Sequence, residues 1–293
     1  MFDYKLLEAL SCVIHEKGFD KASQKLHITQ SAVSQRIKLL EDQAGQVLVT
    51  RTVPPRATLN GKHLLKHYIK VKSLEADLER TLEKKGETHF HVFPMGINAD
   101  SLATWFFPVI GRFLKEQNIL LDLKVDDQDE THKLLRNGEV SGCISSEKSP
   151  VQGCSVEAIG TMTYRLAATK NFIRQYFLKG VDELSVKTAP AVIFNRKDDL
   201  HDKFFQKFFK KPIKNFPVHY VPSSEKFAQM IMDGLAYGMI PDLQGLDPIR
   251  SGLLVDMVPS CHVRVNLYWH RWNLNSKLLD DISRLIVKNA MIC

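Results

Sequence analysis

The sequence has no uninterrupted apolar run of the roughly 18 residues that a membrane-spanning helix requires. Its first five residues do not combine a charged start with an apolar stretch, so we expect no signal peptide, no membrane partner and a cytoplasmic location. The 293 residues are 44% hydrophobic and 25% charged, which is typical of a globular protein of two or three domains.

Cysteine is scarce and irregularly spaced. The five cysteines are Cys12, Cys143, Cys154, Cys261 and Cys293. Their number is odd and no Cys-x-x-Cys occurs, which argues against a disulfide framework and a zinc site. We expect reduced thiols, with a peroxide-sensing pair as the alternative.

Common catalytic and cofactor motifs are missing as well. The sequence contains no Gly-x-Ser-x-Gly, no phosphate-binding loop and no His-Glu-x-x-His. His89 and His91 alternate along a predicted strand with no third ligand nearby, so they do not indicate a metal site. We therefore expect neither an enzyme nor a cofactor or metal.

Positive charge is concentrated in the first third of the chain. Residues 1–86 contain 15 Lys and Arg against 10 Asp and Glu, whereas residues 87–293 contain 25 against 23. A basic segment in front of a nearly neutral body favours a polyanionic partner for that segment.

Residues 4–45 show the apolar spacing of three short helices. Thr29 is a good N-cap for the third helix, which we predict from Gln30 to Ala44 with Gly45 ending it. One face of this helix is apolar, and the other presents amides, hydroxyls and cations.

Such a face is suited to reading DNA. In a helix-turn-helix, the second helix places short polar side chains in the major groove, where glutamine pairs with adenine and serine contacts bases or phosphate. Basic residues on this helix and in the segment that follows add phosphate contacts. The candidate DNA contacts are Thr29, Gln30, Ser31, Ser34, Gln35, Arg36, Lys38, Arg51 and Arg56. For any one of them the alternative is a solvated surface side chain.

Two further elements follow in sequence. Residues 47–58 have the pattern of a small hairpin, with Pro54 and Pro55 at its turn. Residues 59–86 predict a long helix with a single apolar seam, formed by Leu64, Tyr68, Val71, Leu74, Leu78 and Leu82. The seam favours pairing with the same helix of a second subunit; the alternative is packing on the chain's own body. Beyond residue 87, strands alternate with helices, which indicates an α/β architecture with parallel sheets. We predict helices near 101–116, 131–137, 171–177, 200–209, 225–233 and 276–290, and the strands between them include one at 164–169.

The stretch Ala22–Glu41 resembles the signature of the LysR family of transcriptional regulators. Its paired small residues, Thr-Gln, Ala-Val-Ser and final Leu-Glu all match, as do Gly45 and Arg51. Ser23 replaces the usual second alanine, a mild departure. The resemblance extends over the whole chain and is strongest to a branch of the family that responds to arginine or lysine. The stretches that indicate this branch are 28–38, 51–56, 98–105 and 267–271.

The resemblance implies an N-terminal, all-α winged helix-turn-helix at residues 1–58 and a dimerising linker helix at residues 59–86. It also implies a two-lobed, periplasmic-binding-protein-like effector domain at residues 87–293. We expect lobe one at about 87–168 and 268–293, and lobe two at about 169–267. The implied partners are double-stranded DNA, further copies of the chain in a dimer or tetramer, and RNA polymerase at promoters. The implied effector is a basic amino acid whose export or metabolism the protein controls.

A basic amino acid needs acidic partners for its cations and hydrogen-bond donors for its carboxylate. Loop residues that face the expected cleft supply candidates for both. They are Asn98, Asp100, Ser101, Asp126, Asp127, Thr163, Ser223, Ser224 and Glu225. The alternatives are that Asp100 caps a helix and that Asp126 and Asp127 form a solvated strand end.

Two other functions fit parts of the sequence. A solute-binding or transport component that senses another small molecule would share the two-lobed body. An architectural DNA-binding protein that blocks replication origins would need no ligand. The recognition helix argues against the first, and footprinting distinguishes the second from a regulator.

Overall fold

The computed structural model describes residues 2–82, 90–126 and 131–290. Expectations for His89, Asp127, Cys293 and the linker residues 83–86 therefore lie outside the described residues. The N-terminal part is helical with one hairpin, a long helix follows, and the remainder is α/β. This is the fold class predicted from the sequence.

The N-terminal part consists of three helices, a hairpin and the long helix. Their bounds are α1 Tyr4–His15, α2 Phe19–Leu26, α3 Gln30–Ala44, β1 Val49–Thr50, β2 Arg56–Ala57 and α4 Leu59–Leu82. Thr29 caps α3 as predicted, because its Oγ1 accepts the Ala32 N–H at 3.2 Å. Gly45 ends α3 with φ of 67°, in the left-handed region that glycine tolerates best.

The buried face of α3 fixes which side chains reach solvent. Val33, Ile37 and Leu40 pack into a core shared with α1, the hairpin and the start of α4. Since a helix repeats every 3.6 residues, the opposite face points outward. Gln30 and Ser34 are exposed on that face.

The long helix α4 uses its apolar seam in two ways. Leu64 and Tyr68 pack into the N-terminal core, so the first half of the seam is covered by the chain itself. Leu74, Leu78 and Leu82, spaced four residues apart, are 42%, 58% and 70% exposed. The second half of the seam thus leaves a strip of leucines open to solvent.

The α/β part contains nine strands and nine helices within the described residues. The strands are β3 His91–Asn98, β4 Ile119–Asp126, β5 Gly142–Ser145, β6 Cys154–Ala168, β7 Ala191–Ile193, β8 Val218–Tyr220, β9 Tyr237–Pro241, β10 Val255–Asp256 and β11 Val263–Trp272. The helices are α5 Ala99–Ala103, α6 Phe106–Gln117, α7 Thr131–Arg136, α8 Lys170–Tyr176, α9 Glu183–Thr188, α10 Leu200–Phe209, α11 Ser224–Met232, α12 Asp242–Arg250 and α13 Lys277–Asn289.

The nine strands form one mixed sheet, which corrects the expectation of parallel sheets. Its order is β4-β3-β5-β11-β6-β9-β7-β8, with β10 on β6. Strands pair in parallel at both ends, but β6 and β11 run antiparallel along their length, from Val263 opposite Tyr164 to Trp272 opposite Cys154. One strand leaves lobe one and the other returns to it, so they run in opposite directions. These crossing strands join the lobes.

Two local expectations also change. The helix predicted over residues 101–116 is divided at Thr104 and Trp105, where the indole is 2% exposed and turns into the core. The 15-residue β6 begins ten residues before the predicted strand, and the predicted elements did not include α9 or α12. Pro248 lies inside α12, and an internal proline is an unfavourable signal for a helix.

Within the described residues, no helix is both long and apolar enough to cross a bilayer. The four cysteines in these ranges have free thiols. Burial raises the pKa of the Cys143 and Cys154 thiols, which keeps both protonated and weakly reactive at neutral pH.

Candidate nucleic-acid interface and ligand cleft

A groove runs between the start of α2, the outer face of α3 and the hairpin. Its volume is about 600 Å³, and Gln30, Ser34 and Arg51 lie together in its wall. These residues come from α3 and the hairpin, so the fold brings the predicted base-reading and phosphate-binding side chains to one surface.

The remaining candidates surround this groove. Ser31, Gln35, Lys38 and Arg56 are exposed, and Arg36 is half-buried. The Thr29 hydroxyl is engaged locally: it accepts the Ala32 N–H and lies 2.9 Å from Ser31 Oγ. Thr29 therefore positions the start of α3.

The groove also contains two cations that the sequence argument missed. Lys17 and Lys21 flank the start of α2 in the same wall. The sequence does contain a signal for phosphate contact here: Lys17 and Lys21 lie on either side of Gly18, where α2 begins. The start of a helix favours phosphate. The apolar part of the groove includes Phe19 and Val53.

Glu41 holds the hairpin against α3. Its Oε1 accepts the Leu48 N–H at 2.8 Å and the Val49 N–H at 3.2 Å. A carboxylate that accepts two backbone donors fixes the direction of the chain leaving α3. Glu41 thereby sets where Arg51 lies relative to the exposed face of α3.

A second site lies between the two lobes of the α/β part. A small cavity of about 20 Å³ is lined by Asn98, Ala99, Asp100, Asp126, Phe194, Asp198 and Leu200. Three of these residues have carboxyl groups. Of the described residues, no lysine or arginine lines this cavity.

Asp100 connects the lobes across this cavity. Its Oδ1 accepts the Ser224 hydroxyl at 2.6 Å and its Oδ2 accepts the Tyr164 hydroxyl at 2.7 Å. Burial raises the pKa of the Asp100 carboxyl, and these two hydrogen bonds oppose the rise. The Asp100 carboxyl does not cap α5, so the alternative that Asp100 is a helix cap is wrong.

Asp198 is a cleft residue that the sequence argument missed. Its Oδ2 accepts the Phe194 N–H at 3.1 Å and its Oδ1 accepts the Leu200 N–H at 3.0 Å. Burial raises the pKa of Asp198, those backbone hydrogen bonds lower it, and the charge of Asp100 raises it again. The sequence signal, Lys-Asp-Asp before a helix, is also that of an ordinary helix cap.

Asn98 and Ser101 contribute buried polar atoms beside Asp100. Asn98 is 1% exposed and Ser101 is fully buried. Neither the Asn98 amide atoms nor the Ser101 hydroxyl has a hydrogen-bond partner among the residues that the structure describes. Buried polar groups are normally paired, so the Asn98 amide, which lines the cavity and has no partner among these residues, indicates a place for a polar ligand or water, and Ser101 follows in the short helix α5.

The other ligand candidates do not meet at this point. Ser223 caps α11, because its Oγ accepts the Lys226 N–H at 3.4 Å, and Glu225 is exposed. Thr163 alternates with Tyr164 on β6, so its side chain lies on the opposite face of the sheet.

Comparison with known families identifies both parts of the chain. Residues 4–62 match the model described as "Bacterial regulatory helix-turn-helix protein, lysR family", and residues 94–290 match the "LysR substrate binding domain". The chain belongs to the LysR family. It is a DNA-binding transcription regulator of that type, and its relatives are regulators rather than enzymes.

Individual relatives match over almost the full length. The chain is 41% identical over 288 residues to the HTH-type transcriptional regulator ArgP of Aeromonas salmonicida, covering 98% of this chain and 96% of that one. The structure is similar to ArgP from Mycobacterium tuberculosis, with a TM-score of 0.84, 36% identity and coverage of 99% and 98%. It is also similar to full-length LysG from Corynebacterium glutamicum with bound effector Arg, with a TM-score of 0.75, 34% identity and coverage of 99% and 98%. The predicted resemblance to the arginine- or lysine-responsive branch is confirmed.

Proposed function

We propose that this regulator senses arginine or lysine in the cleft between its lobes and controls transcription of genes for the export or metabolism of that amino acid. The main support is the charge of the cleft, where Asp100, Asp126 and Asp198 surround one cavity. Buried carboxylates are stabilised by a cationic partner, and a guanidinium or ammonium group supplies one. The bound arginine of the similar LysG structure is consistent with this assignment.

Within the cleft we assign each end of the ligand to different side chains. Asp126 and Asp198 would bind the cationic side chain. The Asn98 amide and the Ser101 hydroxyl would donate hydrogen bonds to the ligand carboxylate, which gives these buried groups the partners they need.

Ligand entry requires the lobes to separate. The cavity of about 20 Å³ is far below the roughly 300–1,000 Å³ of most small-molecule sites. The Asp100–Ser224 hydrogen bond joins one lobe to the other, so it must open when the cleft opens. Binding would then select one lobe arrangement and change how paired subunits bend DNA.

On DNA, the groove beside α3 would face the duplex. Gln30 and Ser34 would contact base edges, and Arg51 would contact phosphate together with Lys17 and Lys21. The exposed leucines of α4 would pair two subunits, placing two reading helices about 34–36 Å or a multiple apart. Such dimers would assemble into tetramers and act with RNA polymerase at promoters.

The direct test is calorimetric titration of the full-length protein with arginine, lysine and citrulline. We expect one site per chain for arginine or lysine and at least about tenfold weaker binding of citrulline, which lacks the side-chain cation. If neither arginine nor lysine binds or raises the thermal midpoint at millimolar concentration, the effector assignment is wrong. Footprinting that shows uniform, salt-sensitive protection of any duplex would instead support an architectural role.

A further inference from the structure

A second cavity, unrelated to the interlobe cleft, separates the first half of α4 from lobe one. Its volume of about 630 Å³ lies within the range of small-molecule sites. The α4 wall contains Lys62, His63 and Lys66, and the facing wall contains His132 and Arg136. We call this cavity the basic cleft.

The cations of the basic cleft are not neutralised by acids. Lys62 Nζ donates to Asn137 Oδ1 at 3.2 Å, and Lys66 Nζ donates to the Gln152 carbonyl at 3.3 Å; both acceptors are neutral. Across residues 2–82, 90–126 and 131–290, neither lysine nor Arg136 has a carboxylate within 4.0 Å.

One acid does line the basic cleft, but its hydrogen bond is local. Glu147 Oε1 accepts the Ser149 N–H at 2.8 Å within its own loop. On the same lobe-one wall, His132 Nδ1 is buried and has no hydrogen-bond partner among the described residues. The cleft therefore presents an excess of positive charge and an unused polar atom.

The two walls are held at a fixed separation by close packing. A Cβ atom on Gly138 would lie 2.7 Å from the Cα of Lys66, so only glycine allows the backbones to approach this closely. One turn further along α4, Ile69 packs into the cluster around Trp272, and Lys70 Nζ lies 5.7 Å from the centre of that ring. These contacts fix the two walls relative to each other.

We propose that the basic cleft binds a small phosphorylated anion. Lysine and arginine are the usual partners of phosphate, and two walls carrying three such side chains suit an anion with several charges. Since one wall belongs to the helix that follows the DNA-reading part and the other to lobe one, the bound anion would tether α4 to the effector domain. This would be a second regulatory input, separate from the interlobe cleft.

The test is calorimetric titration of DNA-free, full-length protein with inorganic tripolyphosphate near physiological ionic strength. We expect one site per chain. The double variant Lys62→Gln/Lys66→Gln and the single variant Arg136→Gln should each weaken binding at least about tenfold, because each loses charge-assisted hydrogen bonds. Arg136 is exposed and lies outside α4, so its substitution leaves the packing of α4 unchanged. It therefore tests the site independently of the double variant.

Lys72→Gln is the matched control, because Lys72 lies on α4 outside the cleft lining and near Glu75. Its binding should equal that of the wild type. Absence of binding by the wild type, or equal loss in the control, would overturn the proposal. A second experiment tests whether these lysines bind the phosphates of DNA instead, by measuring DNA affinity at several salt concentrations. If the lysines contact DNA, the double variant should lower the slope of log affinity against log salt by about 0.9 per lysine. That result, together with no binding of free tripolyphosphate, would show that the proposal is wrong.

Discussion

The Ser224 hydroxyl donates a hydrogen bond to Asp100 Oδ1 at 2.6 Å, joining residues 124 positions apart. Asp100 lies in the first turn of α5 in lobe one, and Ser224 begins α11 in lobe two. A single hydrogen bond to a buried carboxylate is therefore part of what keeps the lobes together. Its removal affects both stability and the equilibrium between open and closed clefts.

For Ser224→Ala, we expect a loss of about 1–3 kcal/mol in the free energy of unfolding, because the buried Asp100 carboxylate loses one donor. Urea unfolding measures this. Lys226→Gln, an exposed change two residues later, should stay within about 0.5 kcal/mol of the wild type. Equal stability of the Ser224 variant and the wild type would show that the contact is not important in solution.

For Asp198→Asn, we expect arginine affinity to fall at least about tenfold, since the ligand cation loses a charged partner. Calorimetric titration measures the change. Asp202→Asn is the matched control, because Asp202 is exposed in the first turn of α10, which follows Asp198, and lies outside the cavity lining. If both variants bind arginine as tightly as the wild type, Asp198 does not contact the ligand.

The pH dependence of stability gives an independent test of Asp198. Burial raises the pKa of its carboxyl above the ordinary 3.8, so the folded state holds this proton more tightly than the unfolded state does. Its stabilising contribution is present below the ordinary pKa and is lost as pH rises through the raised value. We therefore expect wild-type stability to fall relative to Asp198→Asn as the pH rises from the ordinary 3.8 through the raised pKa. Urea unfolding across this range should show that trend, and a constant difference between the two proteins would contradict it.

On the DNA side, Gln30→Ala or Ser34→Ala should reduce discrimination between the specific site and a mismatched one by about 1–3 kcal/mol. Arg51→Ala should weaken all duplexes similarly and lower the salt slope by about 0.9. Gel-shift titrations at several salt concentrations separate these effects. Gln43→Ala, exposed at the far end of α3, is the control. Loss of specificity in the control alone would place the reading surface elsewhere.

The leucine strip of α4 is tested by introducing charge. Leu78→Asp should shift the protein from dimer toward monomer, because a carboxylate cannot be buried unpaired between two helices. Light scattering after size exclusion measures the mass. Lys72→Asp places the same side chain nearly opposite Leu74 around the helix and should leave the mass unchanged. An unchanged dimer in the Leu78 variant would assign subunit contact to another surface.

Sequence alone was sufficient for the features that depend on neighbouring residues. The Thr29 cap, the bounds of α3 and the Gly45 terminus follow from hydrogen bonds and steric limits within a few positions. The family signature and the buried face of α3 were also evident, because helical periodicity places Val33, Ile37 and Leu40 on one side. The sequence did not show that residues 101–116 form two helices divided at Trp105, because packing of this side chain against the distant core determines the division.

The arrangement of the cleft depended on tertiary structure. Asp198 and Asp100 are almost one hundred residues apart, and only the crossing of β6 and β11 between the lobes brings their carboxyls to one cavity. The same holds for the basic cleft, where Lys62 and Arg136 face each other because Gly138 allows α4 to approach lobe one. Local sequence determined what each helix could present to DNA. Long-range packing decided which charges meet, since a charged side chain alone does not specify its distant neighbours.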